Sequence, residues 1–332
     1  MKNLNNIKYS VLDLAYVREG DSIHQTFKNT LSNAQTAESL GYTRYWLSEH
    51  HNMQNVASAA TSILIGYVAG GTTKIRVGSG GIMLPNHTTL SVAEQFGTLE
   101  SLYPNRIDLG LGRAPGTDQL TASVLRRGNN FMNYNFEEEI HGLLNYFNPD
   151  NKISKVRAIP GEGANVPLYI LGSSTDSAFL AAKLGMPYAF AGHFAPQQFY
   201  NAVKIYRTHF KASEYLDKPY VIACVNVIAA ETDEDAHYLS MSMYQGFLNI
   251  ISDKRQPIVS PDKTNLEAAS PEQKYILESM TGLSFIGNRE SLKTSFEKFL
   301  NDAEVDEIMV SSNIYDKEAK MNSYKIISEV FN

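Results

Sequence analysis

Short runs of β-branched and aromatic residues alternate along the chain with longer stretches of helical periodicity. The short runs predict eight strands, at Ile7–Leu12, Tyr42–Ser48, Ile75–Ser79, Arg106–Leu111, Pro167–Leu171, Tyr188–Ala191, Tyr220–Ile228 and Glu307–Ser311. The longer stretches predict helices at Gln25–Leu40, Ser58–Gly70, Thr89–Leu102, Tyr134–Phe147, Thr175–Leu184, Pro196–Lys211, Thr232–Ser252, Arg289–Ala303 and Met321–Val330. Several predicted strands contain few charged residues, which is typical of strands buried on both faces of a parallel sheet.

This order of elements predicts a (β/α)8 barrel, also called a TIM barrel, an α/β fold in which eight strand–helix units close into a ring. No segment rich in Pro, Gly or Ser divides the chain, so we expect residues 1–332 to form a single domain. A doubly wound sheet is the alternative. The segment after the first predicted strand, Leu12–Ala15, lacks the G-x-G-x-x-G fingerprint of that fold.

Three predicted connections exceed ordinary loop length: Arg113–Asn133, Asn148–Val166 and Ser252–Gly282. In a (β/α)8 barrel, long connections that follow a strand lie at the C-terminal face, where lids form. We therefore expect loop insertions at that face. The third stretch would either close over a ligand or form an ordinary surface loop.

The composition narrows the function classes. The chain has 29 Lys and Arg against 35 Asp and Glu, a net charge of −6 at pH 7, and no long basic run. We therefore expect neither a nucleic-acid partner nor an acidic membrane surface. Cys224 is the single cysteine, which is typical of a reducing compartment. The polar start and the lack of an apolar stretch of about 20 residues predict a soluble cytoplasmic protein with no membrane segment.

Chemically capable residues follow the predicted strands at their C-terminal ends. In a (β/α)8 barrel these ends meet at one mouth, where active sites lie. The segments there contain Asp13, Glu49, His50, His51, Gly80, Gly81, His87, Arg113, Ser173, Ser174 and His193. Four of the eight histidines therefore fall at the predicted mouth. We expect little comparable chemistry at the N-terminal ends of the strands.

An anion site is predicted after the fifth strand, where a helix opens near Thr175. Free backbone N–H groups and the positive end of the helix dipole would face an anion there. The hydroxyls of Ser173, Ser174 and Ser177 add donors, and Arg113, after the neighbouring fourth strand, adds a guanidinium. This pattern predicts a phosphate site. The alternatives are a serine that only caps the helix and an arginine that pairs with a surface acid.

The Glu49-His50-His51 run indicates acid–base chemistry, because an imidazole titrates near neutral pH. A metal site that includes His87 is the competing interpretation, but neither H-E-x-x-H nor His-x-His occurs. We therefore predict no metal.

Two adjacent glycines, Gly80 and Gly81, follow the third predicted strand. Paired glycines weaken a strand unless the backbone is strained or something flat must approach it closely. A planar ring stacked over the mouth and a simple bulge would each explain the pair.

Four segments together resemble the bacterial luciferase-like flavin monooxygenases, most closely the single-chain, alkanal-monooxygenase-like group. They are Tyr45–His51 (YWLSEHH), Val77–His87 (VGSGGIMLPNH), Asn105–Arg113 (NRIDLGLGR) and Leu171–Ser174 (LGSS). The similarity runs from Ser10 to the end of the chain. It implies a (β/α)8 barrel that holds FMN at the C-terminal mouth and assembles as a homodimer.

The resemblance also implies residue roles, position by position. The implied cofactor-binding residues are Gly80, Gly81, Arg113, Leu171, Ser173, Ser174 and Ser177. Among these, Gly80-Gly81 matches a non-prolyl cis peptide beneath the flavin ring, and Arg113 with the three serines matches the FMN phosphate site. His50 matches the catalytic histidine. The neighbours expected to contact substrate or support the site are Glu49, His51, His87 and His193.

Two positions depart from the family pattern. The reactive cysteine of luciferase matches Gly112, which removes a group near the flavin reaction centre and argues against light emission. The glutamate of the phosphate loop matches Ser173, which leaves the backbone amides available, so phosphate binding is still expected.

The activity implied by the resemblance is that of an FMN-dependent monooxygenase. Reduced FMN, supplied by a separate NAD(P)H:flavin reductase, would react with O2 to give a flavin C4a-hydroperoxide that oxidises an aldehyde, ketone or similar small organic substrate. The chain has no second nucleotide-binding fingerprint, which favours an external source of reduced flavin. The alternatives are an F420-dependent dehydrogenase of the same fold, a non-catalytic flavin-binding protein and a metal hydrolase.

Overall fold

A closed barrel of parallel strands forms the centre of the molecule, in a computed structural model that describes residues 4–126, 134–151 and 155–332. The strands of this part of the chain are β1 (Lys8–Asp13), β2 (Arg44–Leu47), β3 (Arg76–Met83), β4 (Ile107–Gly112), β5 (Leu168–Gly172), β6 (Tyr188–Ala191), β7 (Val221–Ala229), β8 (Ser284–Gly287) and β9 (Glu307–Ser311). Strands β1 to β7 pair in chain order, and β9 closes the ring between β7 and β1. The predicted (β/α)8 barrel is confirmed. A doubly wound sheet is excluded, because such a sheet is open.

Helices connect the strands and cover the outside of the barrel. Over the described residues they are α1 (Ile23–Ser39), α2 (Thr61–Gly70), α3 (Thr89–Leu102), α4 (Gln119–Leu125), α5 (Phe136–Phe147), α6 (Thr175–Leu184), α7 (Phe199–His209), α8 (Asp233–Ile251), α9 (Pro271–Met280), α10 (Arg289–Asp302) and α11 (Lys317–Phe331). Local signals set several of their ends. Helix α1 begins after Ser22, whose hydroxyl accepts a hydrogen bond from the N–H of Gln25. Helix α6 ends at Gly185, which adopts the left-handed conformation at φ 62°.

The long connections contain elements that the hydrophobic pattern missed. Residues 252–282 include α9, and β8 follows them directly. β8 pairs with Asn226–Ala229 of β7, beyond the part of β7 that pairs with β6. Residues 113–133 include α4, although 127–133 of that connection lie outside the described residues, as do 152–154 of the connection 148–166.

Apolar side chains fill the space on both sides of the strands. Phe96, Phe190 and Phe296 belong to the large buried cluster between the barrel and its helices. Leu12 and Trp46 belong to a smaller cluster of interior residues. Each fully buried side chain of this kind contributes about 1.5–3 kcal/mol through removal of apolar surface from water. This packing holds the strand ends in fixed positions around the mouth.

Charged and phenolic side chains close the N-terminal end of the barrel. Arg44, at the start of β2, donates to Asp108 Oδ2 at 2.7 Å and to Glu307 Oε1 at 2.8 Å. It also donates to the Tyr169 hydroxyl at 2.7 Å, while the Tyr220 hydroxyl donates to Glu307 Oε2 at 2.7 Å. We call these five residues the basal ion-pair cluster. The expectation of little chemistry at this end is wrong, because charges isolated within otherwise apolar strands pair with one another across the interior.

Candidate functional site

A cavity of about 270 Å³ opens at the C-terminal ends of β1 to β6. Of the twelve residues to which the resemblance assigns a role, eight line it: His50, Gly80, Arg113, Leu171, Ser173, Ser174, Ser177 and His193. Much of the remaining wall is apolar or bare backbone, with Leu14, Met83 and Phe194 among its residues. The other four residues do not line this cavity. One of them, Gly81, adjoins Gly80 in the chain.

One end of the cavity combines a guanidinium with a helix N-terminus. Arg113 is exposed and has no ion-pair partner among the described residues. Ser174 caps α6, its hydroxyl accepting the N–H of Ser177 at 3.4 Å. The capping interpretation of Ser174 is therefore correct, and the same residue also lines the cavity. Backbone donors at a helix N-terminus together with an unpaired arginine suit a phosphate group.

Ser177 is held from inside the protein. Its hydroxyl donates to the carbonyl oxygen of Ser174 at 2.7 Å and lies 2.9 Å from the hydroxyl of Tyr188. The N–H of Thr175 donates to Gln198 Oε1 at 3.2 Å. Tyr188 and Gln198 were missed in the sequence, because both lie well after the motif that they support. The turn before α6 is therefore braced by β6 and by the segment that precedes α7.

Bare backbone at Gly80 forms part of the cavity wall, and Gly81 follows it in β3. The peptide bond between them is cis, as the resemblance implied, and β3 continues through the pair to Met83. A Cβ atom on Gly80 would lie 2.7 Å from Leu12 Cδ1, and one on Gly81 would lie 2.8 Å from the carbonyl oxygen of Gly110. The close packing leaves no room for a side chain at either position. At Gly80 the backbone itself therefore faces the cavity.

His50 is fixed by the loop that follows β4. Its Nδ1 lies 3.0 Å from the carbonyl oxygen of Gly116, so Nδ1 carries the proton and donates it. In the neutral ring Nε2 then keeps its lone pair. Burial lowers the pKa of His50 below its usual value of 6.5, and the hydrogen bond to Gly116 and the nearby Glu49 charge only partly oppose this. The geometry thus provides a neutral imidazole base in the cavity wall.

Glu49 is a buried carboxylate that gathers four donors. His51 Nε2 and His87 Nε2 each lie 2.9 Å from Glu49 Oε1, and Asn86 donates to the same oxygen at 3.1 Å. The N–H of Met83 donates to Oε2 at 3.0 Å. Burial alone would raise the pKa of Glu49, but the hydrogen bonds from His51, His87 and Asn86 lower it to about 2. We call these residues the Glu49 cluster; Met83 links it to the cavity wall.

His193 is a second imidazole in the cavity wall. Its Nδ1 is buried and has no hydrogen-bond partner among the described residues. Burial lowers the pKa of His193 to about 4, and the nearby His50 adds to the shift. The side chain is therefore neutral at physiological pH.

The loops after β2, β3 and β4 interlock at the mouth. Besides the His50–Gly116 hydrogen bond, the Thr117 hydroxyl donates to the carbonyl oxygen of His51 at 2.9 Å, and Asn86 donates to that of Pro115 at 2.8 Å. The supporting positions Pro115, Gly116 and Thr117 were not predicted. The Ala-Pro-Gly-Thr sequence was a turn signal, but it did not reveal which side chain the turn would hold.

Within residues 4–126, 134–151 and 155–332, no group of three or more His, Cys, Asp or Glu side chains is arranged so that it could hold a metal ion. In the same residues, none of the helices combines the length and apolar character needed to cross a lipid bilayer.

Two relatives match along almost their whole length. A luciferase-like monooxygenase of Escherichia coli strain K12 is 44% identical over 324 residues, which cover 98% of this chain and 97% of that protein. The N-acetyl-S-alkylcysteine monooxygenase of Bacillus subtilis is 30% identical over 331 residues, which cover 97% of this chain and 98% of that protein.

Solved structures share the architecture. The structure of apo-MsnO8 is 31% identical, with a TM-score of 0.92 and 98% of each chain covered. The oxygenating constituent of 3,6-diketocamphane monooxygenase from Pseudomonas putida, solved with FMN, has a TM-score of 0.69 at 17% identity, with 97% of each chain covered. An F420-dependent secondary alcohol dehydrogenase has a TM-score of 0.70 at 13% identity, covering 98% of this chain and 99% of that one. The last two share the fold alone.

A family model decides the assignment, because it covers most of the chain. The model described as luciferase-like monooxygenase matches residues 7–294. This match agrees with the two relatives above, both of which are named as monooxygenases. The chain therefore belongs to the luciferase-like monooxygenase family of oxidoreductases.

Proposed function

We propose that this single-domain protein is the oxygenase of a two-component, FMN-dependent system. A separate NAD(P)H:flavin reductase would supply reduced FMN, and the protein would use O2 to oxidise an aldehyde, a ketone or a similar small organic compound. The observation that carries the proposal is the meeting of Arg113, the N-terminus of α6 and the imidazole of His50 around one mostly apolar cavity.

The residues present fit FMN. Arg113 and the turn at Ser173 and Ser174 would hold the phosphate, because they offer an unpaired guanidinium and unused donors. Gly80 and Gly81 would let the flat ring lie against the backbone, and Leu171 would pack against it from β5. Bound reduced FMN would supply the activation of O2; the chain supplies orientation and a site with little water.

Proton transfer is the role we assign to His50. Its Nε2 lone pair lies on a residue of the cavity wall, and its lowered pKa keeps it unprotonated at neutral pH. The side chains of the Glu49 cluster other than Met83 do not line the cavity; we propose that they position the loops that carry His50 and Met83.

Uncharged, largely apolar molecules are the substrates that the cavity favours. Arg113 is the only cationic side chain that lines it among the described residues, and the phosphate would engage that charge. A carboxylate on the substrate would then have no counter-ion among the described residues that line the cavity. This argues for an aldehyde or ketone over an acidic thioether such as the substrate named for the Bacillus relative.

Homodimerisation is proposed from α2. The helix contains no charged residue, yet Ile63 is 75% exposed and Tyr67, one turn later, is 43% exposed. Leu102 at the end of the neighbouring α3 is 63% exposed. Exposed large apolar side chains on neighbouring helices are characteristic of an interface between subunits.

Anaerobic fluorescence titration tests the cofactor. We expect saturable binding of FMN and no binding of F420, followed by oxygenated product from octanal or 2-octanone when O2 is admitted to the complex with reduced FMN. Binding of F420 with oxidation of an alcohol would overturn the proposal in favour of a dehydrogenase. FMN binding without product from any aldehyde or ketone would favour a flavin-binding protein, and stoichiometric metal in the purified protein would favour a hydrolase.

A further inference from the structure

His193 has a buried ring nitrogen that no group of the described chain satisfies. Nδ1 lacks a partner, and Nε2 makes no hydrogen bond although it belongs to a residue of the cavity wall. Buried polar atoms in folded proteins are nearly always paired, so an unpaired one calls for an explanation. An imidazole that supports only the fold would be expected to bond to a neighbouring backbone group, as His50 does.

The backbone around His193 is held firmly. Its carbonyl oxygen accepts a hydrogen bond from Asn226 Nδ2 at 2.5 Å, and Asn226 is itself buried on β7. The ring of Phe194 lies 5.2 Å from the ring of His193. The imidazole is therefore a positioned group and its unpaired state is built into the fold.

The chemical cost of burial selects the tautomer. A neutral imidazole has one N–H, which sits on either Nδ1 or Nε2. Buried N–H groups without a partner are rarer than buried acceptors without one. The proton therefore belongs on Nε2, which leaves Nδ1 as an unpaired acceptor and gives the cavity a hydrogen-bond donor.

His50 and His193 then offer complementary hydrogen-bonding groups to the same cavity. His50 offers a lone pair at Nε2, because its proton is donated to Gly116. His193 offers an N–H. A carbonyl oxygen accepts hydrogen bonds and cannot donate one, so of the two imidazoles only His193 can bind it as a donor.

We propose that His193 binds the carbonyl oxygen of the substrate through its Nε2–H group, with His50 the neighbouring acceptor. This assignment rests on the proposed function, since it concerns the substrate that the same cavity would hold. It separates two imidazoles that look equivalent in the sequence into a proton acceptor and a substrate anchor.

Binding of two matched probes to the protein loaded with oxidised FMN tests the assignment without turnover. The probes are 2-octanone and methyl hexyl sulfide, which differ in having a carbonyl or a sulfur at the same position. Calorimetry is expected to show tighter binding of the ketone to the wild type. His193→Phe should weaken ketone binding about three- to tenfold, the loss of one hydrogen bond, and leave the sulfide unchanged. His193→Gln, which retains an N–H donor, should recover part of the loss.

A second measurement reads the tautomer directly. Long-range ¹H–¹⁵N spectra of the histidine-labelled protein should show His193 protonated at Nε2 and His50 at Nδ1, and 2-octanone should shift the His193 signals. Equal affinity of the wild type for both probes, or unchanged ketone affinity in His193→Phe, would overturn the assignment. His24→Phe, on the exposed face of α1, is the control. FMN affinity is measured for every variant, so failure of the wild type to bind FMN would count against the proposed function instead.

Discussion

Nδ1 of His50 lies 3.0 Å from the carbonyl oxygen of Gly116, and this hydrogen bond joins the loop after β2 to the loop after β4. The second loop also carries Arg113, three residues before Gly116. One loop thus fixes the proton position on the imidazole and presents the guanidinium. We therefore expect the base and the anion-binding end of the cavity to form together.

Replacing His50 with Ala removes the proposed base. We expect turnover with saturating reduced FMN to fall about 10²–10⁴-fold. FMN affinity should change far less, because Arg113 and the turn before α6 supply the proposed phosphate donors. His24→Ala on the exposed surface is the matched control. In the wild type, activity should fall on the acid side with a midpoint below pH 6.5, because burial lowers the pKa of His50 and the ring becomes protonated only below that pKa. Unchanged turnover in His50→Ala would remove the assignment.

Replacing Arg113 with Ala removes the proposed phosphate ligand. We expect the Kd for FMN to rise about 10- to 100-fold, since hydrogen bonds to charged groups contribute about 1.5–3 kcal/mol. Binding of riboflavin, which lacks the phosphate, should be unaffected. Fluorescence titration with both flavins gives the answer, and Arg157→Ala, an exposed arginine paired with Glu162, serves as control. An equal loss for the two flavins would show that Arg113 does not contact the phosphate.

Replacing Glu49 with Gln breaks the Glu49 cluster. We expect the free energy of unfolding to fall by about 1–3 kcal/mol near neutral pH, because the amide replaces one acceptor oxygen with an NH2 group that faces donors and removes the negative charge. The pKa of Glu49 lies at about 2, below its usual 4.5, so the carboxylate stabilises the fold fully above pH 4.5 and loses this contribution as the pH falls toward 2. Urea unfolding across this range should show the difference between wild type and variant shrinking below pH 4.5. Glu137→Gln, in a surface ion pair, should cost less than about 1 kcal/mol.

Replacing Arg44 with Met leaves the buried carboxylate of Glu307 without its cation and removes one of the two arginines that pair with Asp108, the other being Arg76. Breaking one partner of a buried ion pair costs about 3–5 kcal/mol. Thermal unfolding should therefore show a large loss of stability, whereas Arg289→Met on the surface should change it by about 0.5 kcal/mol or less. A variant as stable as the wild type would mean that the carboxylates become protonated or hydrated at little cost.

Replacing Ile63 with Glu tests the proposed dimer. A carboxylate in the apolar face of α2 would be buried without a partner in a dimer, so we expect a monomer in light scattering where the wild type is a dimer. Tyr275→Glu changes a residue of similar exposure on α9 and should leave the mass unchanged. A dimeric Ile63→Glu variant would place the interface elsewhere.

Much of the barrel could be predicted because its strands are short, apolar and separated by helices of regular period. β8 was missed because Ser284–Gly287 is only four residues long and directly follows a stretch interpreted as loop. Helix α9 was missed despite a usable signal: Ser270 and Gln273 form a capping box, with Pro271 at the first helical position. The predicted third strand stops at Ser79, because adjacent glycines usually break a strand, whereas β3 continues to Met83.

The candidate site was predicted in its parts more than in its arrangement. Strand ends indicated which residues reach the mouth, and His50, Arg113 and Ser174 do line one cavity. The division among the histidines could not be predicted. Whether a ring faces the cavity, as His193 does, or binds Glu49, as His87 does, depends on loop conformations that no periodicity encodes.

The basal ion-pair cluster leaves the barrel accessible from its C-terminal end and blocked at its N-terminal end. Arg44 and its partners fill the N-terminal end, so a ligand that enters or leaves the cavity has to pass the C-terminal ends of the strands. A large cofactor bound at the C-terminal ends would block the exit of any molecule that lies deeper in the cavity. The order of binding and release would then follow from the geometry. The molecule that lies deeper in the cavity must bind first and leave last.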